Sequence, residues 1–278
     1  MPACDDIDCG LRDLRHLHWD ESATTSGTGG TFLKARERAG AAAFYYKLSC
    51  YDELHGIYGH ECIDEIVAAR LASLLAIRHL PYRLVHARIL VDGTEHVTWL
   101  CESRSFRAEG ESKVSLERFY AANHLPGEGR IELMRRFGWE TEMQQMFLFD
   151  YLIANRDRHG ANIEVLRARD GSLRLAPLFD NGLSLYFSTY DDATLASIDP
   201  LQDVIAHNYL GSRSPETNLR ELVGPNLAVC ELAAAHRDVL LAGLDAVLSP
   251  VHLDAIWAMV EGRWRTYARL RDSGQLAA

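Results

Sequence analysis

Two acidic residues and an asparagine have the types and spacing that transfer of a phosphoryl group requires. Asp157 and Asn162 lie in the segment NRDRHGAN (155–162), and Asp180 follows in the segment LFDNG (178–182). One carboxylate can accept the proton of an attacking hydroxyl group, while a second carboxylate and an amide oxygen can hold Mg²⁺ against the phosphates of ATP. A turn stabilised by Asx side chains would explain one or two of these residues, but not the ordered set. The pattern therefore predicts Asp157 as catalytic base and Asn162 and Asp180 as magnesium ligands.

The first hundred residues are expected to form a sheet that packs beside this motif. Strand-like patterns occur in four segments, at 31–36, 42–48, 82–91 and 96–101. An apolar repeat of three and four residues predicts a helix over 61–77. The first twenty residues carry leucines at three-residue spacing, which favours a short helix or an irregular arm. We therefore expect a small mixed sheet with one helix packed on it.

The pattern becomes mostly helical after residue 103. Helices are predicted over 139–155 and 253–271, and two short strands over 162–166 and 173–178 flank a turn. The expected fold class is α+β, with two lobes. A strand-rich N-terminal lobe would span 1–103, and a larger helical lobe with the catalytic and metal-binding loops would span 104–278.

Composition excludes several other classes of protein. The net charge is −10 and no basic run is present, which argues against nucleic acid as the ligand. The six cysteines show no C-x-x-C spacing, so a zinc site is not indicated. The N-terminus lacks the pattern of a signal peptide, and no apolar run is long enough to cross a bilayer. We expect a cytoplasmic protein that does not enter the membrane.

The catalytic segment resembles that of the HipA-like serine/threonine kinases, a bacterial branch of the protein-kinase-like superfamily. These kinases share the D-R-H-x-x-N element with phosphoinositide kinases. The resemblance extends over residues 22 to 187 and implies a bilobal protein-kinase-like fold that uses ATP and Mg²⁺. It assigns the base to Asp157, the loop asparagine to Asn162 and the aspartate of the D-F-G-like element to Asp180. Asn181 replaces the second residue of that element.

The resemblance also implies a lysine that binds the α- and β-phosphates of ATP and a glutamate on a helix that holds this lysine in place. Lys47 has the expected place on a strand, with Lys34 as a rival that lies too near the preceding loop. Glu65 is the expected partner on the helix, with Glu61 and Asp64 as competitors. A lysine on an edge strand or an acidic first helical turn would be the plain alternatives.

Further positions follow from the same resemblance. The phosphate-binding loop would contain Ser26, Gly27, Thr28, Gly29 and Gly30. HipA toxins are shut off by phosphorylation in this loop, where Ser26 is the nearest match and Thr28 the second.

The junction of the two lobes supplies the remaining positions. Cys101 and Glu102 lie where the backbone of a kinase forms hydrogen bonds with the adenine ring. An edge strand that runs into a linker would explain this segment equally well. Arg158 and His159 join the cofactor-binding set as supporting residues. Arg158 would pair with a carboxylate such as Asp150, and His159 would contact phosphates or brace the backbone beside Asp180. Asn155 would order the catalytic loop.

The acceptor of the phosphoryl group is left open. A protein serine or threonine leads, with autophosphorylation included, and a small molecule or lipid head group is the alternative. A nucleotide-binding toxin–antitoxin module without catalysis is a third alternative. Because about twenty residues precede the small-residue loop, we expect a short, kinase-core-only member, and the antitoxin partner of full-length HipA toxins is correspondingly less supported.

Overall fold

The computed structural model describes residues 5–21, 33–39, 42–188 and 191–277. Within these ranges the N-terminal part contains strands and one helix with the following bounds: β1 Ile7–Asp13, β2 Trp19–Glu21, β3 Leu33–Ala39, β4 Ala42–Lys47, β5 Tyr51–Asp52, β6 Gly56–Ile57, α1 Glu61–Leu74, β7 Tyr82–Val91 and β8 Thr94–Arg104. The four predicted strands and the predicted helix are present, and the expected start of the first strand at residue 31 lies outside the described residues.

Six of these strands form one sheet in the order β1-β7-β8-β4-β3-β2. β1 pairs with β7 in parallel, and the other neighbours are antiparallel. The expectation of a short helix or irregular arm is therefore wrong for Ile7–Asp13. The leucine spacing is misleading because Leu14 and Leu17 are buried beyond the strand, whereas Leu11 is 49% exposed. A half-exposed edge strand of this kind lacks the alternation by which a strand is recognised.

The C-terminal part is mainly helical. Its helices are α2 Leu116–Asn123, α3 Arg130–Arg136, α4 Glu140–Leu152, α5 Asp192–Ser197, α6 Pro215–Leu222, α7 His236–Leu241 and α8 Pro250–Asp272, with a 3-10 helix at Leu244–Ala246. Its short strands are β9 Ser112–Ser115, β10 Asp157–Arg158, β11 Glu164–Arg167, β12 Leu173–Leu175 and β13 His207–Asn208. β11 lies between β12 and β9, while β10 pairs in parallel with β13. The predicted helices over 139–155 and 253–271 correspond to α4 and α8.

The helix α1 connects the two parts of the fold. Twelve of its residues are buried, including both apolar and acidic side chains. It packs against β7, β8 and α7, and its apolar residues share one core with those of α4 and α8. A second core, which includes Tyr46 and Leu100, lies on another part of the sheet. A helix packed on several sides cannot rotate freely, so its acidic side chains have fixed directions.

The architecture is α+β and bilobal, with a strand-rich and a helical lobe. β8 ends at Arg104 and an irregular connector follows, next to the predicted boundary at residue 103. Division of the chain into two domains at that residue stays a prediction. None of the helices in the described ranges combines the length and apolar character needed to cross a membrane.

Candidate active site

A partly buried lysine joins the sheet, the helix α1 and the segment after β12. Lys47 Nζ lies 2.5 Å from Glu65 Oε1 and 2.6 Å from Asp180 Oδ1. The predicted ion pair between Lys47 and Glu65 is therefore present. The competitors face elsewhere: Glu61 Oε2 accepts a hydrogen bond from the Cys50 N–H, and Asp64 is fully buried with both oxygens unbonded among the described residues.

The charges of this triad stabilise one another. Burial alone would lower the pKa of Lys47, but the Asp180 and Glu65 carboxylates outweigh it and raise that pKa well above its ordinary value. Burial would likewise raise the pKa of Asp180, but Lys47 and Lys34 lower it. Lys47 is therefore an ammonium group and Asp180 a carboxylate at neutral pH. A cation and an anion held ready in this way suit binding of phosphate and of a divalent metal ion.

The backbone at Asp180 is held in an unusual conformation. Its φ angle is +59°, in the left-handed region that a non-glycine residue seldom adopts. The Asp180 N–H donates to the Tyr82 hydroxyl at 3.2 Å, and the Asn181 N–H donates to Glu65 Oε2 at 2.9 Å. At Gly182, an added Cβ atom would lie 3.1 Å from the Glu61 carbonyl oxygen. The segment therefore lies directly against α1, and these contacts hold the strained turn in place.

Asn155 orders the loop that carries Asp157, as predicted. The loop begins after α4, where Ala154 has a φ of +51°. Asn155 Nδ2 donates to Asp150 Oδ1 at 2.8 Å, and Asn155 Oδ1 accepts from the Asp157 N–H at 3.1 Å. Because Asp150 belongs to α4, the side chain of Asn155 ties the loop to a rigid helix.

Arg158 stabilises the loop instead of facing a ligand. Its side chain is fully buried and forms an ion pair with Asp150 at 2.7 Å, which confirms the predicted pairing. It also donates to the Phe179 carbonyl oxygen at 3.0 Å and to Asn181 Oδ1 at 2.6 Å. All of its nitrogens have protein partners, so the expectation that Arg158 contributes to cofactor binding does not fit the structure. It joins the catalytic loop to the segment that contains Asp180.

The Asp157 carboxylate has two histidines beside it. Its Oδ2 lies 3.7 Å from His159 Nε2, and its Oδ1 lies 3.8 Å from His207 Nδ1. Burial raises the pKa of Asp157, His159 lowers it, Asp180 raises it, and the net direction is upward. A carboxylate with a raised pKa is a stronger base, which suits removal of a proton from a hydroxyl group.

Asn162 lies next to Asp157 and is fixed by it. Asn162 Nδ2 donates to the Asp157 carbonyl oxygen at 2.9 Å, which directs the amide nitrogen towards the loop backbone. The Asn162 N–H donates to His159 Nδ1 at 3.2 Å. His159 therefore braces the loop at Asn162, whereas the predicted brace beside Asp180 is not observed. Asn162 Oδ1 has no hydrogen-bond partner among the described residues and can serve as a ligand.

The side-chain oxygen atoms of Asn162 and Asp180 are donors of the kind that Mg²⁺ prefers. Mg²⁺ is usually bound by one or two protein oxygens together with phosphate oxygens and water. In the described ranges, three or more His, Cys, Asp or Glu side chains nowhere meet as a metal cluster. The donor set accordingly suits a metal that arrives with a nucleotide, and it does not suit a structural metal such as zinc.

The connector between the two lobes begins later in the chain than predicted. Cys101 is buried beside Lys47 in the strand register, and both it and Glu102 pair with β4 and β7 within the sheet. The Glu102 side chain accepts a hydrogen bond from Arg12 at 2.9 Å. Backbone groups that are free to read adenine would therefore come after Arg104. There, the Phe106 ring lies 5.4 Å from that of Phe179, which offers an apolar surface.

Three residues near the site were not selected from the sequence. Lys34 Nζ lies 3.7 Å from Asp180 Oδ2, because Lys34 and Lys47 are direct partners in the β3–β4 pairing. The Tyr82 ring lies 5.6 Å from Lys47 Nζ. His207 reaches Asp157 through the pairing of β10 with β13. Strand pairing would have identified Lys34, whereas Tyr82 and His207 have no local signal.

The predicted phosphate-binding loop lies outside the described residues. This applies to Ser26, Gly27, Thr28, Gly29 and Gly30. The strands β2 and β3 that flank it are paired, and Lys34 on β3 lies near Asp180. The contribution of the loop to the site stays a prediction.

The fold is that of a kinase-related protein. The crystal structure of the Helicobacter pylori proinflammatory kinase CtkA matches 97% of this chain and 100% of its own, with a TM-score of 0.60 and 14% sequence identity. HipA of Shewanella oneidensis MR-1, solved with HipB and operator DNA, matches 92% of this chain and 60% of its own, with a TM-score of 0.40 and 16% identity. No protein-family model and no curated protein sequence matches the chain. The similarity to CtkA shows a kinase-like fold, in agreement with the resemblance seen in the sequence.

Proposed function

We propose that this protein is a Mg-ATP-dependent phosphotransferase that transfers the γ-phosphoryl group to a hydroxyl group on a protein, as a HipA-type serine/threonine kinase. The observation that carries the proposal is the position of Lys47. Its ammonium group contacts Glu65 on α1 and Asp180 after β12, so three separate elements meet at one point. A buried ion pair with a purely structural role needs only one carboxylate. A lysine that binds phosphate needs a second carboxylate that holds its ammonium group in place.

Each side chain has a distinct task in the proposed reaction. Mg-ATP, when bound, supplies the transferable phosphoryl group and the metal charge that stabilises the transition state. Lys47 binds phosphate oxygens while Glu65 fixes its direction. Asp180 and the Oδ1 atom of Asn162 hold the metal. Asp157 accepts the proton of the acceptor hydroxyl group, and its raised pKa favours this step.

Burial supports these assignments because it limits water at the reacting groups. Asp157 is 9% exposed and Asn162 is 7% exposed, so both residues are largely shielded from solvent. Charged groups interact more strongly in such surroundings than in bulk water. A serine or threonine on a flexible protein loop can extend its hydroxyl group to such a position.

Transfer from γ-labelled ATP in the presence of Mg²⁺ tests the proposal. The wild-type protein is expected to label itself or a protein in an extract, and Asp180→Asn is expected to abolish the label. Asp170→Asn is a matched control, since Asp170 lies on an exposed turn and bonds only locally. Chromatography of small molecules from the same reaction identifies a metabolite acceptor. If the wild type labels neither proteins nor small molecules, the proposal fails.

A further inference from the structure

A cleft of about 430 Å³ lies behind the connector between the two lobes. Its walls come from the start of β7, the end of β8 and the segment around β12, and they include Arg78, Arg83, Arg104 and Arg174. Glu102 is the acidic residue in this wall. Such a concentration of arginine is unusual in a chain whose net charge is −10. The volume is within the range of pockets that bind small molecules.

The carboxylates near this cleft pair with two of its four arginines, Arg83 and Arg174. Glu102 is shared, with Arg12 Nη1 at 2.9 Å and Arg83 Nη1 at 3.8 Å. Arg174 forms a two-point pair with Glu111, at 2.9 and 2.7 Å.

Two further arginines of the cleft have no carboxylate partner. Among the described residues, neither Arg78 nor Arg104 forms an ion pair. Arg78 donates to the Leu175 carbonyl oxygen at 2.7 Å, and the Arg104 guanidinium lies 5.1 Å from the Phe44 ring centroid. Positive charge is therefore in excess in the walls of the cleft, with four arginines and one glutamate.

Two of the arginines lie near each other. Burial lowers the pKa of Arg78, the neighbouring charge of Arg174 lowers it further, and the charge of Glu142 offsets only part of this change. Like charges in a concave site repel, and a bound anion between them removes that repulsion. The planar guanidinium group matches phosphate and carboxylate oxygens in a two-point geometry.

The cleft does not include the proposed phosphate-binding, metal-binding and catalytic end of the active site. The side chains of Lys47, Glu65, Asp157, Asn162 and Asp180 are absent from its walls, whereas Phe106, next to the expected adenine position, is part of them. Cys101 in β8 is the register partner of Lys47. Side chains alternate between the two faces of a strand, so Glu102 and Arg104 project from the face opposite to that of Cys101. Tyr82 lies between the two places, since it lines the cleft and accepts the hydrogen bond from the Asp180 N–H.

We propose that this cleft binds a small, multiply charged oxyanion, of the phosphate-ester or polycarboxylate class, at a site separate from the one that holds the phosphates of the nucleotide. The two arginines without carboxylate partners, Arg78 and Arg104, provide the main contacts. The hydroxyl groups of Ser103 and Ser105, which also line the cleft, are further donors. Binding there does not depend on phosphoryl transfer by the neighbouring site.

Calorimetric titration with pyrophosphate and with citrate, at constant ionic strength, tests the inference. Wild type is expected to bind at least one of them with a Kd below about 1 mM, and comparison of the two anions separates phosphate from carboxylate ligands. Arg78→Gln and Arg104→Gln are each expected to weaken binding by about tenfold, since each removes a charge-assisted contact. Arg269→Gln, a substitution at an exposed position on α8, is the matched control and is expected to change nothing.

Lys47→Met separates this cleft from the nucleotide site. Binding of the anion is expected to survive in Lys47→Met, whereas binding of Mg-ATP is expected to survive in Arg104→Gln. Loss of anion binding in Lys47→Met alone would place the anion at the nucleotide site and overturn the inference. Equal weakening in Arg269→Gln, or a Kd above about 1 mM for both anions, would overturn it as well. Arg104 is exposed, so its variant keeps the test valid even where Arg78→Gln fails to fold.

Discussion

Replacement of Arg158 by methionine is expected to destabilise the protein by about 3–5 kcal/mol, because it leaves the Asp150 carboxylate buried without its cation. The arginine is fully buried and Asp150 is 3% exposed, so water cannot replace the lost partner. The hydrogen bonds to the Phe179 carbonyl oxygen and to Asn181 Oδ1 are lost at the same time, and each contributes about 1 kcal/mol or more. Methionine fills much of the same volume, which keeps the cavity small.

Urea unfolding at neutral pH measures this loss. Arg265→Met is the matched control, because Arg265 is 74% exposed and pairs with Glu261 one helical turn away. That control is expected to cost less than about 1 kcal/mol. Combining Asp150→Leu with Arg158→Met is expected to recover part of the stability, since no buried charge then remains unpaired. A loss below about 1 kcal/mol for Arg158→Met alone would refute the assignment of Arg158 as the buried link between the two loops.

Three further predictions concern the site and its support. Lys47→Met is expected to reduce the rate of phosphoryl transfer by at least about a hundredfold, since Glu65 and Asp180 would then repel each other. Single-turnover kinetics measure this rate, and an unchanged rate would contradict the role of Lys47. Burial raises the pKa of Glu61 to about 7 from 4.5. The preference of the folded protein for protonated Glu61 therefore contributes its full stability below pH 4.5, and this contribution is lost as the pH rises through 7. Glu61→Gln is therefore expected to gain about 2 kcal/mol over wild type between pH 5 and pH 8 in urea unfolding, and a pH-independent difference would count against it. Gly182→Ala is expected to slow phosphoryl transfer at nearly unchanged stability, because the new Cβ atom would lie 3.1 Å from the backbone of Glu61. Phosphoryl transfer at the wild-type rate would refute this close packing.

The parts of the site that the sequence predicts best are local in the chain. Asp157 and Asn162 belong to one loop, and the spacing alone brings them together, as the hydrogen bond between them shows. The partnership of Lys47 with Glu65 could also be predicted, because strand and helix patterns on both sides are regular and the family resemblance supplies the pairing. Arg158 was correctly paired with Asp150, since both flank the same helix end.

The remaining features depend on contacts between distant segments. Lys34 and His207 come near the carboxylates through strand pairing, and no local pattern records that β13 lies beside β10. The parallel edge strand β1 was missed because its burial does not alternate. Adenine contacts were expected at Cys101 and Glu102, yet β8 continues to Arg104, since strand ends are set by pairing with neighbours and not by composition.

Parallel measurement of nucleotide binding and phosphoryl transfer in Asp157→Asn tests the central claim most directly. If Asp157 is the base, this variant keeps its Kd for Mg-ATP within a few-fold, while transfer of labelled phosphate falls by about 100- to 10,000-fold. Asp170→Asn is expected to match wild type in both measurements. Transfer by Asp157→Asn at the wild-type rate would contradict the account, and so would a wild-type protein that binds Mg-ATP but never transfers phosphate.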